Sequence, residues 1–228
     1  MTGALASALC LVATVGIYAL SRGLHRRLGT WWSAPLILSP LVIILLILGA
    51  GIPFPVYARD TRWLLWLLGP AVVAFAVPIH EHRALIRRQA LPLLVGVATS
   101  VTLGLATSAL LARCFRLDGE LTRSLLTRSV STPFALAASP SLGGNPDLAA
   151  VFVILTGVAG MVLGEAVLLL PALRSRFARG AMFGGSAHAI GSVRAMKEGT
   201  EEGAVSSLTM ILAGVVMVLL APLVGRLH

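Results

Sequence analysis

Gly184-Gly185-Ser186-Ala187-His188-Ala189-Ile190-Gly191-Ser192-Val193-Arg194-Ala195 sets a histidine, an arginine, two serines and three glycines together in a chain that is 57% hydrophobic and only 12% charged. An ordinary soluble domain carries about a quarter charged residues. With a mean hydropathy of +0.92, the composition is that of an integral membrane protein. The stretch is therefore a loop, a catalytic site, or a helix interrupted inside a bilayer, and the choice among these decides the fold.

Working outward, the apolar runs Gly3 to Leu20, Ser33 to Ala58, Trp63 to Ile79, Ala90 to Ala112, Leu148 to Leu173 and Ala204 to Gly225 give six expected spans. Each is near or above the roughly 20 residues that carry a helix across about 30 Å of hydrocarbon. Met1 to Ala8 holds no basic residue, and the first run continues to Leu20 before Arg22, Arg26 and Arg27. It reads as a retained span rather than a cleaved signal. Cys10 and Cys114 form neither a disulfide framework nor a metal-ligand spacing, and no metal or cofactor is expected.

The net charge of +9 comes from 18 Lys and Arg against 9 Asp and Glu, spread through short connectors such as Ser21 to Thr30 and His80 to Gln89. Dispersed charge of this kind anchors a protein to anionic headgroups and argues against nucleic acid as a partner. The Lys and Arg count on alternate connectors is close to balanced, so it sets no orientation.

Two segments of span length are too rich in Gly, Pro, Ser and Thr for simple lipid-facing helices. In Leu121 to Pro146, Pro133 removes a donor and disfavours a helical Thr132, so a helix through Leu125 and Leu126 is expected to end or kink near Ser131 and Thr132. The freed backbone groups are tolerable at membrane depth only in protein or beside a wet cavity. A surface loop with a short helix is the other reading. In Ala178 to Ala195, Gly184 to Gly191 is expected to be an unwound centre with helical pieces on either side. Half-helix amino termini bind anions through unpaired N–H groups. His188 and Ser192 share a face, whereas Arg194 is either turned toward an anion or drawn to headgroups near Lys197, Glu198, Glu201 and Glu202. Glu165, inside a span, reads as reaching a nearby interface.

The order of segments divides the chain near Gly119 into pseudo-repeats of about 1–118 and 119–228, with Leu68 to His80 as the first-half counterpart of the opening stretch. Interrupted segments at matching places in two halves point to a transporter site. An enzyme is not expected. Gly184 to His188 comes near a nucleophile elbow but has His188 in the last glycine's place, and Ser186 and His188, two apart, face different ways on a helix.

The chain resembles the LrgB/CidB family of bacterial membrane proteins over nearly its whole length. The carriers are LGPAVVAFAVP at Leu68 to Pro78, RSVSTPFALAAS at Arg128 to Ser139, AVFVILTGVAGMVLG at Ala150 to Gly164, and GGSAHAIGSVRAMKEG at Gly184 to Gly199 running into EEGAVSSLTMILAG at Glu201 to Gly214. The resemblance implies either an antiholin-like or holin-like role in murein hydrolase activity and autolysis, or transport of small monocarboxylates such as pyruvate, glycolate and glycerate. In both cases a small LrgA/CidA-type membrane protein is the implied partner. The family's KSVTTP-like motif falls on Arg128 to Pro133 and its SHGIGTARA-like motif on Ala187 to Ala195. Ala187 stands where serine is usual, Ser192 replaces threonine, and Glu165 stands where many relatives carry proline.

The expectation is an all-α, polytopic protein of about seven to eight transmembrane or re-entrant helices, forming one domain over 1–228 with two pseudo-repeats and broken helices. It is expected in the bacterial inner membrane as a homo- or hetero-oligomer. A carboxylate would be held by Ser129, Ser131, Thr132, Pro133, Ser186, His188, Gly191 and Ser192, with Arg194 assisting.

Overall fold

The computed structural model describes residues 2–30, 33–169, 173 and 175–226, and within them every regular element is helical. Among the described residues, five helical stretches are long and apolar enough to cross a membrane: Leu5–Leu28, Phe54–Glu81 (a succession of short helices), Ala90–Cys114, Pro146–Leu168 and Thr200–Gly225. The protein is an all-helical, multi-pass membrane protein.

One expected span comes out short. Ser33 to Ala58 is split between a helix over Pro35–Gly49, whose 15 residues fall well short of the roughly 20 needed to cross, and the start of the next helix at Phe54. Gly51 at φ 61° turns the chain out of the helix, and Pro53 caps the next one. The expected run Leu148 to Leu173 forms a helix to Leu168, and its residues 170–172 lie outside the described residues.

The contacts group the chain into Met1–Pro70 and Ala71–His228, whereas the order of segments divides it near Gly119. The first division reflects packing and the second layout. In the first unit α1 (Thr2–Leu28) packs on α2 (Pro35–Gly49) and α3 (Phe54–Thr61). Ser7 Oγ donates to Asp60 Oδ2 at 2.7 Å, which gives that carboxylate a partner inside an apolar unit.

The chain continues through three short helices, α4 (Leu68–Ala74), whose first three residues belong to the first unit, α5 (Ala76–Glu81) and α6 (Arg83–Arg88), to α7 (Ala90–Cys114). Then come α8 (Gly119–Leu125), α9 (Thr132–Ala138), α10 (Pro146–Leu168), α11 (Arg176–Glu198) and α12 (Thr200–Gly225). The most buried of these is α12, which lies against α7, α9 and α11, while α10 packs on α9 and α11. Val97 and Val101 of α7, Phe134 of α9, Val153 of α10 and Ile211 and Met217 of α12 share one core. In lipid, apolar residues gain little by leaving the solvent, so close backbone approach decides which helices pair. Gly180 and Gly184 form a GxxxG step on α11. A Cβ on Gly180 would press on the Glu202 carbonyl and one on Gly184 would run into the Ser206 carbonyl.

Candidate functional site at the two helix breaks

The first break lies where Pro133 requires it. Asp118 caps α8 by accepting from Leu121 N at 2.8 Å, and the helix tightens into a 3-10 turn over Leu126–Ser129. Val130 (φ −130°, ψ 165°) and Ser131 (φ −68°, ψ 153°) are extended. The new helix α9 starts at Thr132 with Pro133 in its first turn, where a missing N–H costs nothing. Ser131 holds the N-cap position, yet its hydroxyl makes no capping bond.

The second break is narrower than the expected unwound centre. The helical backbone of α11 fails at one residue, His188, with φ 52° and ψ −130°. Gly184 and Gly185 stay helical because they serve packing: Gly184 seats α12, and Gly185 leaves room for Ser100 of α7. Ser100 Oγ donates to the Gly185 carbonyl at 2.9 Å. Beyond the break, Gly191 lies directly against the carbonyl of Phe183. A straight helix would hold those two residues about 12 Å apart along its axis, so the two halves, 176–187 and 189–198, are sharply bent on one another.

The breaks meet. His188, 3% exposed, donates from Nε2 to the main-chain oxygen of Arg128 at 3.1 Å, and a carbonyl acceptor fixes the proton on that nitrogen. The hydroxyls of Ser129 and Ser131 are buried and have no hydrogen-bond partner among the described residues. Ser129 fits beside α7 only because residue 104 is glycine, since a Cβ there would overlap its side chain. Thr132 and Pro133 follow directly and are partly exposed.

The other expected residues make contacts within the chain. Ser192 Oγ donates to the His188 carbonyl at 3.0 Å and lies 3.0 Å from Ser206 Oγ, tying the break to α12. Ser186 is exposed and donates to the Met182 carbonyl of its own helix at 2.7 Å. Gly191 makes room for the bend. Arg194 is engaged within the chain: its guanidinium forms a two-pronged pair with Glu165 of α10, contacts Glu198 at 2.6 Å, and lies 5.9 Å over the ring of Phe183. Its charge is balanced here by two carboxylates of the chain, Glu165 and Glu198. Glu165, expected to reach an interface, is the partner that holds it.

The cation that sequence reasoning missed is Arg128. Its Nε donates to Ser108 Oγ at 2.9 Å, Nη2 to Thr107 Oγ1 at 2.7 Å and Nη1 to Thr156 Oγ1 at 3.4 Å, and no carboxylate pairs with it among the described residues. Sequence spacing does not single it out: Arg128 has no acid within four residues on either side, but neither has Arg22, Arg87 or Arg113. Arg128 and Ser129 lie on the wall of a cleft of about 1140 Å³ bounded by α7, α10 and the first half of α11.

The description of the LrgB-like family matches residues 14–227. The chain is 34% identical over 212 residues to the uncharacterized protein YwbG of Bacillus subtilis, covering 93% of this chain and 94% of that one. It is 27% identical over 218 residues to the holin-like protein CidB of Staphylococcus epidermidis, covering 96% and 95% of the two chains. The holin-like protein CidB of Staphylococcus aureus is 29% identical over 214 residues, 94% of this chain and 93% of its own. No solved structure matches. With a match across nearly its full length and the two interrupted motifs meeting in space, the chain belongs to the LrgB-like family.

Proposed function

We propose that the chain is a carrier of small monocarboxylates such as pyruvate, glycolate or glycerate, working in a bacterial inner membrane with a small LrgA/CidA-type partner. The observation that supports this most is the junction of the two broken segments, where His188 meets the Arg128 carbonyl beside the unpartnered hydroxyls of Ser129 and Ser131. A buried hydroxyl without a bond costs about 1–3 kcal/mol, a cost that makes sense where a ligand supplies the missing partner. Interrupted helices packed on one another are how carriers present backbone and hydroxyl groups to a substrate inside the bilayer. Arg128, free of carboxylate partners, supplies the counter-charge in place of Arg194.

A carrier is favoured over a hydrolase because Ser186 and His188 are engaged elsewhere. The serine is bonded to the Met182 carbonyl and the imidazole to the Arg128 carbonyl, so these two residues do not form a serine–histidine couple with each other. The test is saturable uptake of labelled pyruvate or glycolate by the protein in liposomes, with and without the partner. No uptake under any gradient overturns the proposal. His188→Ala and Thr132→Val are expected to abolish uptake in protein that remains folded in detergent.

The second reading is a holin-like protein whose oligomerisation modulates murein hydrolases and lysis, favoured by the names of the Staphylococcus relatives. Release of a trapped dye from the same liposomes, without saturable acid uptake, would establish it in place of the carrier.

A further inference from the structure

We infer that residues 119–145 and 176–198 are two hairpins that enter the bilayer from opposite faces and meet at its midplane, and that the first is the movable gate to the site between their tips. The inference rests on the carrier reading for what passes the gate and goes beyond it in assigning the moving part.

Each segment leaves the protein where it enters. Asn145 Nδ2 donates to Glu120 Oε1 at 3.1 Å, Asn145 N donates to Ser124 Oγ at 2.8 Å, and Arg123 Nε donates to the Gly143 carbonyl at 2.9 Å. The arms of the first hairpin therefore share a base, and Arg128 to Thr132 form its tip. In the second, Arg179 of one arm lies 3.9 Å from Glu198 of the other, and His188 is the tip.

The order of contacts along α12 sets the two bases at opposite ends. Glu202 and then Ser206 lie against Gly180 and Gly184 of the second hairpin, from base toward tip. Further on, Gly214 lies against Phe134 of the first hairpin and Gly225 against Ser141, from tip toward base. Depth is given by α10, whose middle residue, Gly157, touches Ile190 and the Ala187 carbonyl beside Thr156, the acceptor for Arg128. At 1.5 Å per residue Gly157 is about 16 Å from Pro146, close to halfway through about 30 Å of hydrocarbon.

The hairpins are held differently. Glu198 pairs with Arg194 on its own arm and with Arg179 on the other, and Arg194 is bonded to Glu165 of α10, so charge clasps the second hairpin shut and to its neighbour. Its hydroxyls, Ser186 and Ser192, are both bonded. No ion pair joins the arms of the first hairpin among the described residues. The buried hydroxyls of Ser129, Ser131 and Ser139 in it have no partner there. Its tip is tied to α7 and α10 by Arg128 through uncharged hydroxyls, and a carboxylate is the stronger acceptor for those donors. Segments with fewer buried bonds open first, so the first hairpin is the one that moves.

The experiment uses the full chain with Cys10 and Cys114 replaced by serine. A Cβ on Gly214 would lie 2.5 Å from Phe134 Cγ, one bond from Cβ, and a Cβ on Gly203 would lie 3.3 Å from that of Met196, so both pairs suit a disulfide. Phe134→Cys with Gly214→Cys ties the first hairpin to α12, and Met196→Cys with Gly203→Cys ties the second. Oxidation of the first pair is expected to lower pyruvate uptake in liposomes about tenfold or more, reversed by dithiothreitol, while oxidation of the second leaves uptake within about twofold. Labelling of single cysteines by a membrane-impermeant thiol reagent, in intact cells and in inverted vesicles, needs no uptake. The exposed sites Ser141→Cys and Thr200→Cys should label from opposite faces. Of the buried sites Ala138→Cys and Ala195→Cys, seven positions from their tips, the first should label about tenfold faster or more.

Labelling of Ser141→Cys and Thr200→Cys from one face, or Ala195→Cys reacting as fast as Ala138→Cys, overturns the inference. Uptake that survives the 134–214 bridge, or stops with the 196–203 bridge, overturns the gate and leaves the carrier reading standing. If the reduced 134–214 pair carries nothing, the labelling rates decide the gate. No uptake by the unaltered chain overturns the carrier reading, and the same rates still decide which hairpin moves.

Discussion

His188 is held at φ 52° and its imidazole bonds the carbonyl of Arg128, sixty positions earlier in the chain, at 3.1 Å. The strained residue of one broken segment thus satisfies a backbone oxygen of the other. Non-glycine residues outside the allowed regions cost of order 1–3 kcal/mol, and they persist where the surroundings overdetermine them. Here the bond to Arg128, the bond from Ser192 to the His188 carbonyl and the contact of Gly191 with Phe183 all hold the same bend.

That balance separates two substitutions at residue 188. Both His188→Ala and His188→Gly strand the buried Arg128 carbonyl, at about 1–3 kcal/mol. Only alanine keeps the backbone strain, so the glycine variant is expected to be the more stable of the two by about 1 kcal/mol. Thermal unfolding in detergent distinguishes them, and an alanine variant at least as stable as the glycine one would remove strain from the account.

Ser131→Ala should separate stability from transport. Its hydroxyl is buried with no partner, so deleting it is expected to leave stability unchanged or raise it by about 1 kcal/mol. Uptake in liposomes should nevertheless fall at least tenfold. Unchanged uptake would take this hydroxyl out of the site.

Gly184→Ala is expected to be severely destabilising although alanine is the better helix former by about 1 kcal/mol. The new methyl would run into the Ser206 carbonyl and force α11 off α12. Gly16→Ala in α1, where nothing lies within 4 Å, should be neutral or stabilising. Yield of folded protein and melting temperature provide the comparison.

The Glu165 and Arg194 pair should behave asymmetrically. Glu165 is 48% exposed on its side chain and Arg194 21%, so Glu165→Gln is expected to cost less than about 1 kcal/mol, with Glu198 still holding the arginine. Arg194→Ala removes both ion pairs and the cover over Phe183, and should lower the melting temperature further. On the proposed carrier reading neither change should abolish uptake, because that reading assigns the counter-charge for the substrate to Arg128. Loss of uptake in Glu165→Gln would return Arg194 to the site.

The membrane class, the all-helical fold and the places of both interruptions were legible in the amino-acid order. Apolar runs of span length and a proline after Ser131 and Thr132 act through local rules, hydrocarbon thickness and a missing N–H, that need no neighbours. The same rules overran at Ser33 to Ala58, where hydropathy counted residues on both sides of a turn at Gly51 that ends the helix. They also placed the second break on its glycines, because glycine permits both a left-handed backbone and a close helix contact, and only the neighbouring helix shows which use it serves.

Which arginine carries free charge lay beyond sequence. Arg194 stands in the richer motif, but its fate was decided by Glu165, 29 residues away, and that of Arg128 by Thr107, Ser108 and Thr156 on two other helices. Sequence by itself determined that two helices must break and which hydroxyls, imidazole and guanidinium groups lie near the breaks. The tertiary structure decided that the breaks meet and which groups remain unpaired, since hydrogen bonds and ion pairs are settled by distances that only packing sets.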